Sequence, residues 1–496
     1  MALRALPNAA QNRPLDRTTA PGAADQARLR RYAGYLEFYD GRQWAKPRPG
    51  RTNLVLNYAR TVVDKGVSYL LGRGINFGVQ PAGPSPSPEE QSTAAAAEEL
   101  LYRVYEENDL EAVDIQGGLN GAVLGDTVFK LFWEQGFGAW TGPSAYPRGP
   151  GAGGQESGDG GQGAKGQGRI RVLNIDPMTF FPSWAGDDPS TLLSVRVIYR
   201  LPGEEAERRY GTTSNQLSAV GHQQMGAEVV VEERWTAAEM AISVGGSEVV
   251  RTLNPYGFIP FVHIPNARPA NEFWGVSDLK DVIPLNRELN ERMSDMADVI
   301  RFHSDPPVIF KGVTEHSSLA VGPGTVWDVP EGADVGLLEW RGQTPAVEQH
   351  LERVMRALHD VAETPKTAFG NAGRLLSGVA LETELQPLIQ KTLRKRAWWN
   401  AGLRQRNRCI LRIAELKGMG SFGSYRSRII WPPLLPTDGE VEVRNNVALV
   451  SAGLRSRRTA MDRLGEESPE AELERIDEEQ SAAGRQPSAD EKGSGS

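Results

Sequence analysis

The sequence predicts an α+β protein, and three observations carry that prediction. The first is residues 277–304, where Leu279, Val282, Leu285, Leu289, Met293, Met296 and Ile300 fall three or four apart and share one helix face. Asp278, Asp281, Glu288, Glu291, Asp295 and Asp298 crowd the other faces beside Arg287 and Arg292. Ser277 or Asp278 can cap its start, and Asp305-Pro306-Pro307 forbids its continuation. Such a helix is too apolar to stand in solvent alone and too charged for a core. The second observation is a β-rich region of short runs at 169–175, 193–201, 228–236, 240–244, 248–253 and 258–264. The third is a very long helical stretch, 378–417, in which Pro387 predicts a kink.

The remaining elements follow in order. Residues 27–41 read as a short helix carrying Tyr32, Tyr35, Phe38 and Tyr39. Residues 53–71 read as another, with Val55, Tyr58, Val62, Val63, Val67 and Leu70 as its buried stripe. A Pro/Ser linker at 81–88 precedes helices at 91–108 and 113–125 and a strand at 127–133. Residues 142–168 are Gly-rich and low in complexity, a flexible hairpin tip or insertion unable to bury a core. The stretch 203–226 is polar and interrupts the strands. After Pro307 comes a compact Gly- and Val-rich segment opening with Val308-Ile309-Phe310, then a helix at 345–362. Two helices therefore bracket a small β insertion. A Gly-punctuated loop spans 363–376, and the end of the chain offers a strand near 428–431, helices at 438–451 and 456–464, and an acidic tail.

Composition narrows the function. The 496 residues carry a formal net charge of −8, and a protein that grips phosphates ordinarily shows a basic excess. Any contact with DNA is therefore expected to be weak and without sequence preference. The one cysteine, Cys409, permits no disulfide framework within the chain and reads as a small buried apolar residue. The N-terminus has no apolar core, being interrupted by Pro7 and Pro14, and no stretch is long and apolar enough to span a bilayer. Folding in a cytoplasm is expected.

No constellation predicts an enzyme. Gly72, Gly74 and Gly78 lack the spacing and following Lys-Ser/Thr of a phosphate loop and read as a helix end turning into a strand. The six histidines, His222, His263, His303, His316, His350 and His359, form no helical metal pair. Ser377 suits a helix N-cap better than a nucleophile. The pairs Glu232-Glu233 and Asp187-Asp188 read as solvated loop carboxylates. The segment 391–412 combines Lys391, Arg394, Lys395, Arg396, Arg404, Arg406, Arg408 and Arg412 with Trp398-Trp399, a mixture able to bind nucleic acid. The favoured reading is a solvated helix face whose cations pair with acidic neighbours. Catalytic, cofactor and metal sites are all expected to be absent.

Three blocks in order resemble the tailed-bacteriophage portal proteins of the long-tailed branch. They are Asn57-Tyr58-Ala59-Arg60-Thr61-Val62-Val63-Asp64 leading to Tyr69-Leu70-Leu71-Gly72; the 275–312 segment, with Gly275, Ser277-Asp278-Leu279, a spaced Asn and Ser-Asp in the helix, then Pro307 and Gly312; and Ser377-Gly378-Val379-Ala380-Leu381. The resemblance implies a portal fold: a mixed α/β wing at 27–276 with the insertion 142–168, a stem helix at 277–304, a β-rich clip at 305–343, and a second stem helix at 344–363. It continues with a tunnel loop at 364–377, a long kinked wing helix at 378–417 and a helical crown at 418–465, between a disordered tail at 1–26 and a disordered acidic tail at 466–496.

The resemblance also implies a function. It is a structural ring of about twelve subunits at the capsid vertex, assembled in the host cytoplasm and carried in the virion, through which double-stranded DNA is packaged and ejected. The terminase large subunit, a head-tail adaptor, and scaffolding and major capsid proteins are the implied partners; no membrane and no cofactor are. Lys366, Thr367, Phe369, Asn371 and Arg374 would line the DNA channel, and Leu285, Leu289, Met293 and Met296 would form the stem interface. Trp327 and Trp340 would anchor docking at the clip. The alternative is a DNA-binding packaging subunit or nuclease using the Arg/Trp-rich helix 391–412.

Overall fold

Local capping sets where the predicted helices begin. The computed structural model describes residues 21–83, 85–135, 168–210, 228–304, 308–311, 334–337, 344–370, 378–423, 425–435, 439–464, 472–473 and 475–477. The chain divides into two compact units, Met1–Pro432 and Pro433–Ser496. In the first, α1 spans Ala23–Tyr39 and α2 spans Tyr58–Leu71. α2 starts five residues later than its apolar pattern suggested, because the Asn57 side chain accepts the Arg60 N–H at 3.1 Å and caps the helix there. Strand β1 is Asn76–Pro81, and α3, Pro88–Glu107, opens on a capping box in which Ser87 and Glu90 each bond the other's backbone. α4 spans Leu110–Leu124 and ends on Gly125 with φ 103°, a left-handed cap where a side chain would meet the Gly275 carbonyl.

The strands form separate antiparallel sheets. β2 (Asp126–Glu134) pairs with β3 (Arg169–Ile175) on one side. On the five-stranded sheet β4 (Phe180–Trp184), β5 (Leu192–Pro202), β6 (Glu228–Trp235), β7 (Glu239–Val244) and β8 (Ser247–Leu253) lie in chain order. β9 (Phe261–Pro265) returns to the other side of β2. The sequence did not predict β4, nor the helix α5 at Gly203–Tyr210, which opens the stretch expected to be polar and irregular. α5 is highly charged, and only Ala206 and Tyr210 are buried, too small a stripe to stand out in sequence.

α6 spans Val282–Ser304, β10 Val308–Lys311, β11 Asp334–Leu337 and α7 Thr344–Val361. β10 and β11 pair antiparallel, so two helices do bracket a small β unit. α8, Gly378–Leu416, runs without a break through Pro387, and β12, Tyr425–Ile430, pairs with β1. In the second unit α9 spans Gly439–Ser451 and α10 spans Arg457–Leu464.

Two expectations need correction. The helix predicted from residue 277 starts at Val282, because Ser277 donates to the Val123 carbonyl at 2.5 Å and Asp278 is drawn into an ion pair. The Glu232-Glu233 pair lies on β6, not in a solvated loop. Glu233 is fully buried, takes the Lys130 ammonium at 2.6 Å, and accepts from Trp235 and Tyr199. Lys130 is on β2, so this pair ties the two larger sheets together. A buried carboxylate is tolerated here because every strong acceptor position finds a donor.

The apolar stripe of α6 is divided between two cores. Leu279 and Val282 belong to the main core, with Leu285 packed at its edge. Leu289 is fully buried with Leu351 and Val354 of α7, and Met293 and Met296 flank that second cluster. Ile300 is 60% exposed. An adjacent, polar side of α6 carries Asn286, Asn290, Ser294 and Asp298 at four-residue spacing. Each accepts a backbone N–H, from Ala59 in the first turn of α2 and from Leu56, Leu54 and Thr52 in the extended segment before it, respectively, all at 2.8–2.9 Å. Gln43 closes the network by accepting from both asparagines. The helix side chains thus do for 52–59 what a neighbouring strand would otherwise do.

Replacing Asn290 with Ala leaves the Leu56 N–H without its partner and takes from the Gln43 amide oxygen one of the two donors it accepts from. The expected cost is about 1–3 kcal/mol, read as a lower denaturation midpoint. Val55→Ala, on the exposed side of the same segment, is expected to change stability by less than about 0.5 kcal/mol; equal effects would remove the ladder from the account.

Candidate functional site: a charged junction of three helices

The foot of α6, the end of α7 and the middle of α8 meet at a buried aspartate. Lys391 and Lys395 lie one helical turn apart on α8, so both ammonium groups point the same way. Lys395 Nζ bonds Asp278 Oδ2 at 2.5 Å, Lys391 Nζ lies 3.5 Å from Oδ1, and the Asn266 amide donates to Oδ1 at 3.0 Å. Burial alone would raise the Asp278 carboxyl, but the two ammonium groups outweigh it and bring its pKa down to about 2.

Lys391 has a second partner, donating to the Ala362 carbonyl at 3.0 Å just beyond the end of α7. The next residues are held as firmly. Glu363 adopts a left-handed φ of 50° and takes both oxygens to Arg394. Thr364 is fully buried, and its carbonyl accepts from His359 Nδ1 at 2.8 Å. The chain then makes a short 3-10 turn, Lys366–Phe369, ending on Gly370 with φ 83°. Phe369 packs edge-on to His359 at 5.1 Å and against the main core. The beginning of the loop is therefore fixed to α7 and α8.

The residues singled out from sequence fall as follows. Lys366 is exposed, Thr367 is half-buried with its hydroxyl unpaired, and Phe369 faces inward. Asn371 and Arg374 lie outside the described residues, as do the side chains of Trp327 and Trp340. Leu285, Leu289, Met293 and Met296 all find apolar neighbours inside the chain, so the stripe does not by itself require another subunit. His350 and Glu288 add a polar link between α7 and α6 at 3.1 Å.

Half of the cations on the basic segment of α8 are interior rather than on a solvated face. Besides the two lysines, Arg406 is fully buried, forked onto Asp114 and held over Phe129 and Tyr105. Arg396 is buried over Trp431 and donates to the Pro432 carbonyl. Trp399 is a core residue, and Trp398 stacks on Arg268. Arg404, Arg408 and Arg412 alone of this segment's arginines, with Arg394, stay exposed. The nucleic-acid reading needed these cations free, and most are consumed by partners in the same chain. Sequence reasoning missed Asp278 as a partner because its lysines lie more than a hundred residues away; the four-residue spacing of Lys391 and Lys395 was the available signal. Cys409 is buried as expected, and burial pushes its thiol up to about 12.

Among the described residues no group of three His, Cys, Asp or Glu side chains is placed to hold a metal ion, and no helix is long and apolar enough to cross a membrane. A family model described as phage portal protein, SPP1 Gp6-like, matches residues 23–486. A search of curated proteins finds no match.

Removing one member of the Asp278 cluster strands the others. Asp278→Asn or Lys395→Met is expected to cost about 3–5 kcal/mol, and the double substitution less than the sum. Because the folded carboxyl sits near 2 against an ordinary 3.8, its contribution is whole above that ordinary value and is lost as pH falls toward the folded one. Acid denaturation of Asp278→Asn should accordingly be less steep over that window than that of the parent protein. An unchanged acid profile would mean the cluster does not stabilise the fold.

Proposed function

The chain belongs to the phage portal protein family of SPP1 Gp6-like type, and from that premise we propose that about twelve copies close into a ring around a DNA channel. The family supports a structural role at the capsid vertex, in a ring that works with the genome-packaging machinery. The observation that carries our finer reading is the helix–β–helix unit: α6 and α7 paired along a dry seam, with β10 and β11 between them. In this reading the two helices are the stem and the β unit is the clip. The clip docks the terminase large subunit during packaging and a head-tail adaptor afterwards, with Trp327 and Trp340 as anchors; scaffolding and major capsid proteins meet the ring's outside.

The ring contact uses the part of the α6 stripe that the chain leaves partly open: Leu285, Met293 and Met296, with Leu289 supporting them from inside. The loop after Thr364 is the tunnel loop. Lys366, Thr367, Asn371 and Arg374 serve as its polar contacts to DNA, and Phe369 secures its base. DNA slides because the acidic chain, at −8 per copy, offers few phosphate anchors to a duplex bearing about one charge per 1.7 Å. The rival reading, a DNA-gripping subunit or nuclease, loses support from the engagement of Lys391, Lys395, Arg396 and Arg406 within the chain.

Negative-stain microscopy of the purified protein should give rings with a central hole. Met293→Asp with Met296→Asp should abolish those rings while secondary structure persists; rings surviving that change would count against the stem interface. Lys366→Glu should leave rings intact and lower packaging yield, and an unchanged yield would remove the channel role. Trp327→Ala and Trp340→Ala should keep rings and weaken motor binding, whereas broken rings would make the two tryptophans part of the ring contact itself. Duplex DNA should bind at micromolar strength or weaker even in low salt. A tight affinity falling by roughly 10³–10⁵ between 50 and 200 mM salt would revive the rival.

A further inference from the structure

Between α8 and the five-stranded sheet lies a half-open groove of about 480 Å³. Its floor is apolar, with Leu192, Phe258, Ile259 and Cys409 among its lining. Its rim on the α8 side carries Arg408 and Arg412. With Arg404 they form an exposed row at four-residue spacing, one turn apart along the helix. This row is what remains of the basic segment once the interior cations are accounted for.

The row has little carboxylate of its own. Arg412 pairs with Glu415 at 3.0 Å, and the other oxygen of Glu415 accepts the Phe422 N–H. Among the described residues, Arg404 bonds only the carbonyl of Asn400 on its own helix. Arg408 has no hydrogen bond or ion pair among the described residues. On the opposite wall, two acids lie two residues from the lining, and both are engaged: Asp188 accepts from Ser190 and Thr191, and Glu239 pairs with Arg251. A cationic row in which only Arg412 has an ion pair among the described residues, on a chain of net charge −8 and beside a trough of apolar side chains, asks for an occupant with both features.

We propose that this groove binds an acidic peptide segment of a partner protein, with Glu or Asp side chains on the arginine row and bulky aliphatic side chains in the trough. The charges supply encounter rate and orientation, and the trough supplies the hold. Duplex DNA fits less well, because it can meet the arginines but has nothing to place on the apolar floor. The proposal stands apart from the ring reading, since the groove lies within a single chain and needs no neighbouring copy to complete it.

The test uses the full chain and a fluorescein-labelled peptide in which Glu and Asp flank two Leu side chains one helical turn apart, followed by fluorescence anisotropy. Binding should be saturable and weaken with salt. It should fall at least about tenfold in Arg408→Glu, and likewise in Ala237→Trp, which obstructs the groove without altering charge. Both positions are exposed, so circular dichroism should be unchanged. A peptide with Glu in place of the Leu residues should bind at least about tenfold more weakly. The proposal is overturned if no saturable binding occurs or if neither substitution matters. It is also overturned if short duplex DNA displaces the peptide and Ala237→Trp affects neither, which would make the row a nucleic-acid surface. Rings seen or not seen by microscopy do not bear on any of these outcomes.

Discussion

One buried carboxylate between two lysines governs how the helices of this protein meet. Asp278 ends the link from β9 into α6, and Lys391 and Lys395 rise from α8 to meet it. Because Lys391 also holds the Ala362 carbonyl, the foot of α6, the end of α7 and the centre of α8 form one hydrogen-bonded unit. Charges this deep are costly unless matched. The arrangement therefore discriminates strongly among helix positions: a small displacement would leave an ion without its partner, whereas an apolar contact would slide at little cost.

The same principle recurs elsewhere in the first unit. Lys130 and Glu233 join the two larger sheets, and Arg406 with Asp114 joins α8 to α4. Asp126 accepts from Tyr32 at 2.5 Å and from the Gly275 N–H at 2.9 Å, and bonds His263 at 2.7 Å, fixing α1, β2 and β9 together. These pairs cross between elements far apart in sequence. The apolar core supplies most of the driving force, and the polar links select one packing. For a subunit meant to repeat its shape around a ring, a single well-defined packing is a physical requirement, since each angular error is added to the next.

The stretch 52–59, extended up to the start of α2, shows how an exposed-looking segment becomes structural. Among the described residues it has no strand beside it, yet N–H groups along it and at the start of α2 are satisfied by Asn286, Asn290, Ser294 and Asp298. That polar row and the apolar row through Leu289 lie on different faces of α6. The helix is thus gripped on both, by the segment before α2 on one side and by α7 on the other.

Sequence by itself determined the family and most of the elements, though not β4 or α5. Periodicity at 277–304 and 378–417 and alternation at 169–175 and 228–236 are local properties, enforced by backbone geometry and side-chain spacing, and the portal blocks are legible residue by residue. Capping side chains such as Asn57 and Ser87 refine boundaries and could have been read more closely. Tertiary structure alone decided which partner each charged side chain takes. Lys391 and Arg406 look like a solvated or DNA-binding face until Asp278 and Asp114 are brought beside them. Glu233 looks like a loop carboxylate until β2 delivers Lys130. The apolar stripe of α6 reads as one continuous face, yet it is shared between two cores. The physical reason is that periodicity reports only that a face must be covered. What covers it depends on contacts between residues hundreds apart, and no local pattern encodes those.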